Sequence, residues 1–335
     1  MSETLSIVII GRNEEKSICA CIDAARAAAA RVGGAEIVFV DSASTDKTVD
    51  VVSSLGVDVL QLPAELRRCP SAGRFAGFSR VSGDFILFLD ADTRIYPDFL
   101  PAALDHLRSH PDVAGVNGRI DDLDENGHVI AGYEDRFDDL TDVKWLRGPS
   151  CLYRRKALLE VGSFNPQIAM EEEAELGLRI VNAGWRLHLL AIPMSCHTRC
   201  FHVHTFRGMI STFRRDISAG RLGEITRTVA YAFRAGNGIE FCWLRLKTTI
   251  VFAAWAFATV LVFLLPLPFP TLPTVLALAG LGLLAIFAKK RDVRQTLLFV
   301  PNKILCLVDI CSGFHKIGRA NDGLLRAPIV GKTVQ

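Results

Sequence analysis

The stretch SGDFILFLDADT, residues 82–93, decides the fold, because five apolar residues in it lead directly into two aspartates. The apolar run from Phe85 to Leu89 has the length and composition of a strand that is buried on both faces, as in a parallel sheet. Asp90 and Asp92 follow where such a strand leaves the sheet. Ligands of open α/β sheets bind beyond the carboxyl ends of the strands. The stretch therefore predicts a central strand with a polar site at its end.

The same pattern recurs on the N-terminal side of this strand. Short apolar runs predict strands, and capping or amphipathic segments predict helices between them. The predicted strands cover 4–10, 35–41 and 57–62, and the predicted helices cover 14–31, 47–55 and 71–83. Such alternation is typical of an α/β domain with a mostly parallel, doubly wound sheet. Asp41 ends the second strand and is expected at the same edge as Asp90 and Asp92.

The pair Asp90 and Asp92 can bind a divalent cation. Two carboxylates separated by one residue can converge where a strand becomes a loop, and Mg²⁺ prefers oxygen ligands of this kind. Aspartate is also an ordinary turn residue. The D-x-D pattern alone therefore leaves both interpretations open.

Three consecutive glutamates, Glu171 to Glu173, open a predicted helix. Helical spacing places Glu172 on a polar stripe with Glu175 and Arg179, whereas Glu173 falls on the apolar stripe. An inward-facing carboxylate at a helix start is suited to accept a proton. The alternative is that all three glutamates simply favour the positive end of the helix dipole.

A cluster of cysteines and histidines lies in SCHTRCFHVHTF, residues 195–206. Such density could bind zinc, but the spacing does not match the usual pairs of zinc ligands. We predict instead that His197 completes a metal or diphosphate site. The alternative is that the histidines of this cluster, His197, His202 and His204, are ordinary, partly buried side chains that bind no ligand. Cys196 and Cys200 would then bind none either.

Basic and acidic residues are unevenly distributed along the chain. Residues 1–195 carry 20 basic and 30 acidic side chains, whereas residues 196–335 carry 18 and 6. The overall net charge of +2 hides this division. An acidic front half and a basic rear half are expected to face different partners.

The longest charge-free stretch lies in the basic half, between Lys247 and Lys289. Two apolar arms, 248–265 and 271–288, lie on either side of a proline-rich turn that cannot continue a helix. A membrane span needs about 20 apolar residues. We predict a transmembrane hairpin over 248–288; a buried helical pair in a soluble protein is the alternative.

Basic residues flank both outer ends of this predicted hairpin, and the turn carries none. By the positive-inside rule, both ends face the cytoplasm. The N-terminus lacks the basic start of a signal peptide, and the nine cysteines are scattered. These features predict a multi-pass protein of the inner (cytoplasmic) membrane with a catalytic domain in the cytoplasm.

The segments on either side of the hairpin are predicted to lie on the membrane surface. Basic and aromatic residues interleave over 201–247, which suits an amphipathic segment on anionic headgroups and requires no nucleic acid. Residues 289–335 are predicted to be cytoplasmic or interfacial. Within them, the apolar segment 295–314 is interrupted by Pro301, Lys303 and Asp309, which favours an interfacial segment over a span.

Four motifs in order resemble a family 2 glycosyltransferase with a GT-A fold, and together they cover roughly residues 4–200. They are SIVIIGRNEE (6–15), IVFVDSASTDKT (37–48), SGDFILFLDADT (82–93) and EEAELGLRIVNAGWRL (172–187). The resemblance implies a catalytic domain over 1–200. It also implies inverting, metal-dependent transfer of a sugar from a nucleotide-diphosphate donor, with a UDP-sugar favoured. The acceptor would be a hydroxyl or phosphate of a lipid-linked molecule, in polysaccharide or glycolipid assembly.

The resemblance also implies roles for single residues. Asp92, with Asp90, would bind Mg²⁺ or Mn²⁺, and Glu173 would be the catalytic base. Aspartate is commoner than glutamate at position 173 in the family, so Glu172 is the alternative base. The residues expected to bind the donor nucleotide are Gly11, Arg12, Glu14, Asp41, Arg74 and Asp90.

Two other functions fit the same motifs. One is a catalytically silent nucleotide-sugar-binding subunit of a membrane polysaccharide synthase, and assembly with other polysaccharide-biosynthesis proteins is possible for the enzyme too. The other is a nucleotidyltransferase, which would release pyrophosphate instead of a nucleoside diphosphate.

Overall fold

The computed structural model describes residues 3–62, 65–123, 128–129, 140–197, 206–218, 221, 223–264 and 293–317. The described residues divide into two compact units, one within residues 1–200 and the other within residues 201–321.

The first unit alternates strands and helices along its N-terminal half. Its elements are β1 (Leu5–Gly11), α1 (Ile18–Ala30), β2 (Glu36–Asp41), α2 (Thr48–Ser54), β3 (Asp58–Gln61), α3 (Pro70–Arg80), β4 (Phe85–Asp90), β5 (Thr93–Ile95), α4 (Phe99–Ser109), β6 (Val113–Asp122), β7 (Thr141–Val143), β8 (Ser150–Arg154), α5 (Arg155–Val161), α6 (Glu172–Asn182) and β9 (Arg186–His197). The predicted N-terminal elements are therefore all present, with ends shifted by a few residues.

The strands form one sheet in the order β3-β2-β1-β4-β8-β6-β9-β5, with β7 paired to β9. The pairs among β3, β2, β1 and β4 are parallel, as predicted. Beyond β4 the sheet is mixed, because β8 runs antiparallel to both of its neighbours and β6 runs parallel to β9. The sheet is thus an α/β sheet with a parallel N-terminal half.

Helices cover both faces of this sheet, which is what a doubly wound arrangement requires. Successive side chains of a strand point to opposite faces. Along β1, Ile7 and Ile9 therefore pack into the core that also holds α1 and α4. Val8 and Ile10 pack into the opposite core, with α3, α5 and α6. Burial on both faces explains why β1 and β4 read as continuous apolar runs.

The second unit is helical where it is described. It contains α7 (Phe206–Ser218), α8 (Glu224–Arg234), α9 (Gly238–Phe241), a π-helical turn (Cys242–Leu246), α10 (Lys247–Leu264) and α11 (Val293–Ile317). The helical stretch Gly238–Leu261 is long and apolar enough to cross a membrane, and it is the one such helix in the described part of the chain. The second arm of the predicted hairpin, 271–288, and its turn lie outside the described residues.

Helix α11 contains the apolar segment 295–314 and continues through Pro301. The interfacial location of this segment stays a prediction. A proline inside a helix removes one backbone hydrogen bond, but packing can hold the helix together. Packing against α8 is close, since Gly223 donates its N–H to Asp309 Oδ1 at 2.6 Å and Thr226 donates to the carbonyl of Ile310 at 2.8 Å.

Candidate active site

The carboxyl ends of β2, β1 and β4 bring three predicted site residues to one edge of the sheet. Gly11 pairs with Asp41, and Ile10 pairs with Asp90. Neighbouring strands lie about 4.8 Å apart, so Asp41 is about 10 Å from Asp90 across the end of β1. This edge is the place where α/β sheets bind ligands.

Gly11 has no room for a side chain. A Cβ at this position would lie 2.6 Å from the Cβ of Ala91, directly after β4, and 3.1 Å from the ring of Phe39. Glycine at position 11 therefore allows the end of β1 to approach Ala91, just after β4, closely. The result is an edge between Asp41 and Asp90 that is free of a β1 side chain.

The loops after β1 and β2 hold the other predicted nucleotide-binding residues. Asp41 is buried and accepts the backbone N–H of Ser44 with both carboxylate oxygens, at 3.2 and 3.1 Å. Glu14 is also buried, and its Oε2 accepts a hydrogen bond from Ser17 at 2.7 Å. Arg12 is exposed. Asp41 and Glu14 thus shape the loops, and Arg12 is an accessible cation beside them.

The buried guanidinium of Arg74, on α3, joins the D-x-D strand to the start of α6. Its Nη2 lies 3.0 Å from Asp90 Oδ1 and donates to the carbonyl of Gly148 at 2.8 Å. Its Nη1 lies 3.1 Å from both Glu172 Oε1 and Glu173 Oε1. Burial opposes the charge of Arg74, but the three carboxylates prevail and raise its pKa. The predicted metal ligand Asp90 and both candidate bases therefore share one cation.

Burial also perturbs two of these carboxyl groups. It raises the pKa of Asp90 to about 6, and the charges of Asp92 and Glu173 act in the same direction against Arg74. Burial and the charge of Glu173 raise the pKa of Glu172 to about 8. Glu172 therefore takes up a proton more readily than an exposed glutamate does, because burial and the neighbouring charge of Glu173 both oppose its ionised form.

The two candidate bases differ in access to solvent. The side chain of Glu172 is 7% exposed, whereas that of Glu173 is 20% exposed. The helical-wheel assignment is wrong for both glutamates. The polar stripe through Glu172 is buried, and Glu175 and Arg179 on it pair with each other at 2.7 Å. Glu173, which the wheel assigns to the inward-facing apolar stripe, is the more exposed of the two. Glu173 is the glutamate that an acceptor could reach.

The predicted metal-site histidine lies beside the second aspartate of the D-x-D pair. His197 Nε2 is 3.3 Å from Asp92 Oδ2, and His197 Nδ1 is 3.4 Å from Asp122 Oδ1. Burial alone would lower its pKa, but the two carboxylates raise it to about 10. Of the other members of the Cys/His cluster, Cys196 is buried, and Cys200, His202 and His204 lie outside the described residues.

The carboxylate oxygens of this region suit Mg²⁺ or Mn²⁺, and the imidazole of His197 would be a further ligand. Asp92 and His197 are close enough to share one ion. In the described part of the chain, however, no group of three histidine, cysteine or acidic side chains is already arranged around a metal position. Asp90 faces Arg74 instead.

Sequence reasoning missed two residues of this site. Gly148 leaves space for Glu173, since a Cβ at position 148 would overlap the Glu173 carboxylate. The dipeptide Gly148-Pro149 marks a turn but does not reveal its neighbour. Asp122 reaches His197 only through the pairing of β6 with β9, in which the two residues are partners.

Residues 85–288 match the family model of Glycosyl transferase family group 2, and residues 6–162 match that of Glycosyl transferase family 2. The first match spans more than half of the chain. The chain belongs to glycosyltransferase family 2. The family predicted from the four motifs is thus confirmed.

Two curated relatives match this family 2 glycosyltransferase over part of their own length. A pre-mycofactocin glycosyltransferase of Mycobacterium tuberculosis (strain CDC 1551 / Oshkosh) is 28% identical over 179 residues, which cover 49% of this chain and 37% of the relative. An undecaprenyl-phosphate 4-deoxy-4-formamido-L-arabinose transferase of Yersinia pestis (strain Pestoides F) is 32% identical over 247 residues, which cover 72% and 64%. The chain spans less than two thirds of the length of either relative.

A solved structure shares the fold of this family 2 glycosyltransferase. It is a mannosyltransferase from Pyrobaculum calidifontis in complex with GDP-Man and Mn²⁺, with a TM-score of 0.61 at 16% identity. The likeness covers 94% of this chain and 88% of that chain. It confirms the predicted GT-A fold class.

Proposed function

We propose that this chain transfers a sugar from a nucleotide-diphosphate donor to a hydroxyl or phosphate of a lipid-linked acceptor, with inversion at the anomeric carbon. The observation that carries the proposal is the convergence of Asp90 and Glu173 on Arg74, at 3.0 and 3.1 Å. A candidate cation ligand and a candidate base are thereby held side by side at the edge of the sheet where ligands bind.

The donor nucleotide would lie across the carboxyl ends of β2, β1 and β4. Asp41 would face the base, and Gly11, Arg12 and Glu14 would line the loops beside it. Arg74 would act on the donor through Asp90, to which it is paired. We favour a UDP-sugar, and a GDP-sugar is tested beside it, since the structural neighbour from Pyrobaculum was solved with GDP-Man.

Asp92, Asp90 and His197 would hold Mg²⁺ or Mn²⁺. When bound, the cation supplies positive charge that stabilises the departing diphosphate. Asp90 would then divide its two carboxylate oxygens between the cation and Arg74. The Mn²⁺ in the Pyrobaculum complex supports the choice of ion.

Glu173 would be the catalytic base for a hydroxyl acceptor, and Glu172 would anchor it from the interior. Glu173 pairs with Arg74 at 3.1 Å and is partly exposed, and a carboxylate in such a position can take the proton of a hydroxyl as it attacks. A phosphate oxygen is already ionised at neutral pH and needs no base. Glu173 therefore distinguishes the two kinds of acceptor.

The second unit would anchor the catalytic unit at the cytoplasmic face of the inner membrane. Support comes from the apolar helix Gly238–Leu261 and from the basic residues around it. We propose that 271–288 forms the second arm of a hairpin, which would make the protein multi-pass. The relative named for undecaprenyl phosphate supports a lipid-linked acceptor, and other polysaccharide-biosynthesis proteins are candidate partners.

Release of nucleoside diphosphate by the detergent-purified chain tests this function. UDP- and GDP-sugars are supplied with Mn²⁺, first alone and then with polyprenyl phosphate or a polyprenyl-diphosphate saccharide. We expect turnover that Asp92→Asn abolishes and that Glu160→Gln, an exposed control, leaves unchanged. Glu173→Gln should abolish transfer to a hydroxyl but spare transfer to a phosphate. Full activity of Asp92→Asn would refute the proposed site.

A silent donor-binding subunit is the second candidate, because Asp90 and Glu173 are already paired with Arg74 and the described residues do not preassemble a metal site. Such a subunit would bind a nucleotide-sugar in calorimetry and release no diphosphate with any donor. Release of pyrophosphate would indicate a nucleotidyltransferase instead.

A further inference from the structure

His197 lies between two carboxylates that come from different parts of the chain. Asp92 follows β4, and Asp122 ends β6. Pairing of β5 and β6 with β9 brings both to the last residue of β9, because Thr93 and Asp122 are the register partners of His197. Nε2 faces Asp92 at 3.3 Å, and Nδ1 faces Asp122 at 3.4 Å.

The two ring nitrogens of histidine point away from each other. When one binds a cation, the other carries hydrogen and donates it to a neighbouring acceptor, which fixes the tautomer and the direction of the ring. Asp122 lies on the Nδ1 side, opposite to Asp92. It therefore accepts from the imidazole instead of sharing an ion with Nε2.

We propose that Asp122 is a positioning residue for the cation site. Its carboxylate accepts the Nδ1–H of His197 and thereby presents Nε2 to the ion that Asp92 binds. This inference rests on the proposed function, in which His197 and Asp92 are cation ligands. It adds a residue that acts on the cation only through His197.

The adjacent residue provides a matched control. Asp121 has the same side chain one position earlier on β6, so it points to the other face of the sheet. There it accepts from the Tyr96 hydroxyl at 3.0 Å and from Arg119 Nε at 3.0 Å. Replacing Asp121 by asparagine removes the same charge from the same strand without touching His197.

The test is Mn²⁺ binding by the full chain in detergent, with free Mn²⁺ measured by electron paramagnetic resonance. It is carried out with Mn²⁺ alone and with Mn²⁺ plus UDP. We expect Asp122→Asn to weaken Mn²⁺ binding by about 10- to 100-fold, as for other residues that orient a metal-bound histidine. Asp121→Asn should change the affinity by less than about threefold, since it leaves His197 in place.

A double-mutant cycle separates positioning from bulk charge. In a His197→Ala background, Asp122→Asn should have almost no further effect on the Mn²⁺ affinity, because the histidine through which Asp122 acts is absent. An effect of undiminished size in that background would show that Asp122 acts directly or through net charge, and would overturn the proposal. The proposal would also be overturned if the single variant Asp122→Asn, which keeps His197, bound Mn²⁺ with unchanged affinity.

The tautomer provides an independent readout. In Mg²⁺-loaded protein with ¹⁵N-labelled histidine, we expect a protected Nδ1–H signal that disappears in His197→Ala and in Asp122→Ala. A signal from His197 Nε2–H instead would contradict the inference. If the wild-type chain turns over the donor but Asp122→Asn leaves the Mn²⁺ affinity unchanged, only this inference fails. If it neither binds Mn²⁺ nor releases diphosphate, the proposed function fails with it.

Discussion

Replacing Arg74 by methionine should destabilise the first unit, because it removes the cation that Asp90, Glu172 and Glu173 share. Methionine keeps much of the length of the side chain and discards its charge and donors. Removing one partner of a buried ion pair costs about 3–5 kcal/mol. The side chain of Arg74 is only 2% exposed, so water cannot take its place.

The expected loss lies near the lower end of that range. Asp90 and Glu173 are partly exposed and recover some hydration, and Glu172 can take up a proton. A loss of about 3 kcal/mol lowers the melting temperature of a domain of this size by about 6–12 °C. Arg74→Lys should lose less, since it keeps the charge but cannot reproduce the fork of donors.

Thermal unfolding of the detergent-purified chain at pH 7, followed by circular dichroism, measures this loss. Arg80→Met is the control, because Arg80 lies on the same helix in an exposed pair with Asp58 and should cost less than about 1 kcal/mol. Adding Glu172→Gln to Arg74→Met should restore part of the melting temperature, since it removes one unbalanced carboxylate. A melting temperature of Arg74→Met within about 2 °C of wild type, or a double variant less stable than the single one, would refute the reasoning.

Three further predictions concern the same site. Gly148→Ala should lower kcat for a hydroxyl acceptor about 100-fold with little change in melting temperature, because its Cβ displaces the Glu173 carboxylate; an unchanged kcat with that acceptor would contradict this contact. Glu172→Gln should gain stability relative to wild type as the pH rises from 5 to 8 in urea unfolding, and a constant difference would contradict the shift. The sign follows because a pKa raised from 4.5 to about 8 stabilises the fold below pH 4.5, and this stabilisation falls by at most about 1.4 kcal/mol per pH unit as the pH rises to 8. EDTA should stop release of nucleoside diphosphate and Mn²⁺ should restore it; activity that persists in EDTA would argue against the cation.

The edge of the sheet could be predicted from the sequence because it depends on local patterns. Strands β1, β2 and β4 are apolar runs, and parallel strands with similar lengths end at one edge. The positions of Asp41 and Asp90 follow from that alone.

The burial of the glutamates could not be predicted in the same way. A helical wheel considers only the neighbours within α6, and it assigns a charged stripe to solvent. Glu172 is buried because Arg74, 98 residues earlier in the chain, lies against it. Asp122 was missed for a similar reason, since its partner His197 becomes adjacent only through the pairing of β6 with β9.

The charges in these contacts favour a bound cation. The ion pairs hold five carboxylates, of Asp90, Asp92, Asp122, Glu172 and Glu173, against Arg74 and His197. With Glu172 protonated and His197 charged, these groups carry two negative charges in excess. Burial makes such an excess costly. A divalent cation held by Asp90, Asp92 and His197 would take the place of the proton on His197 Nε2, while Asp122 kept the proton on Nδ1. Two positive charges would then replace one, which would reduce the excess from two negative charges to one.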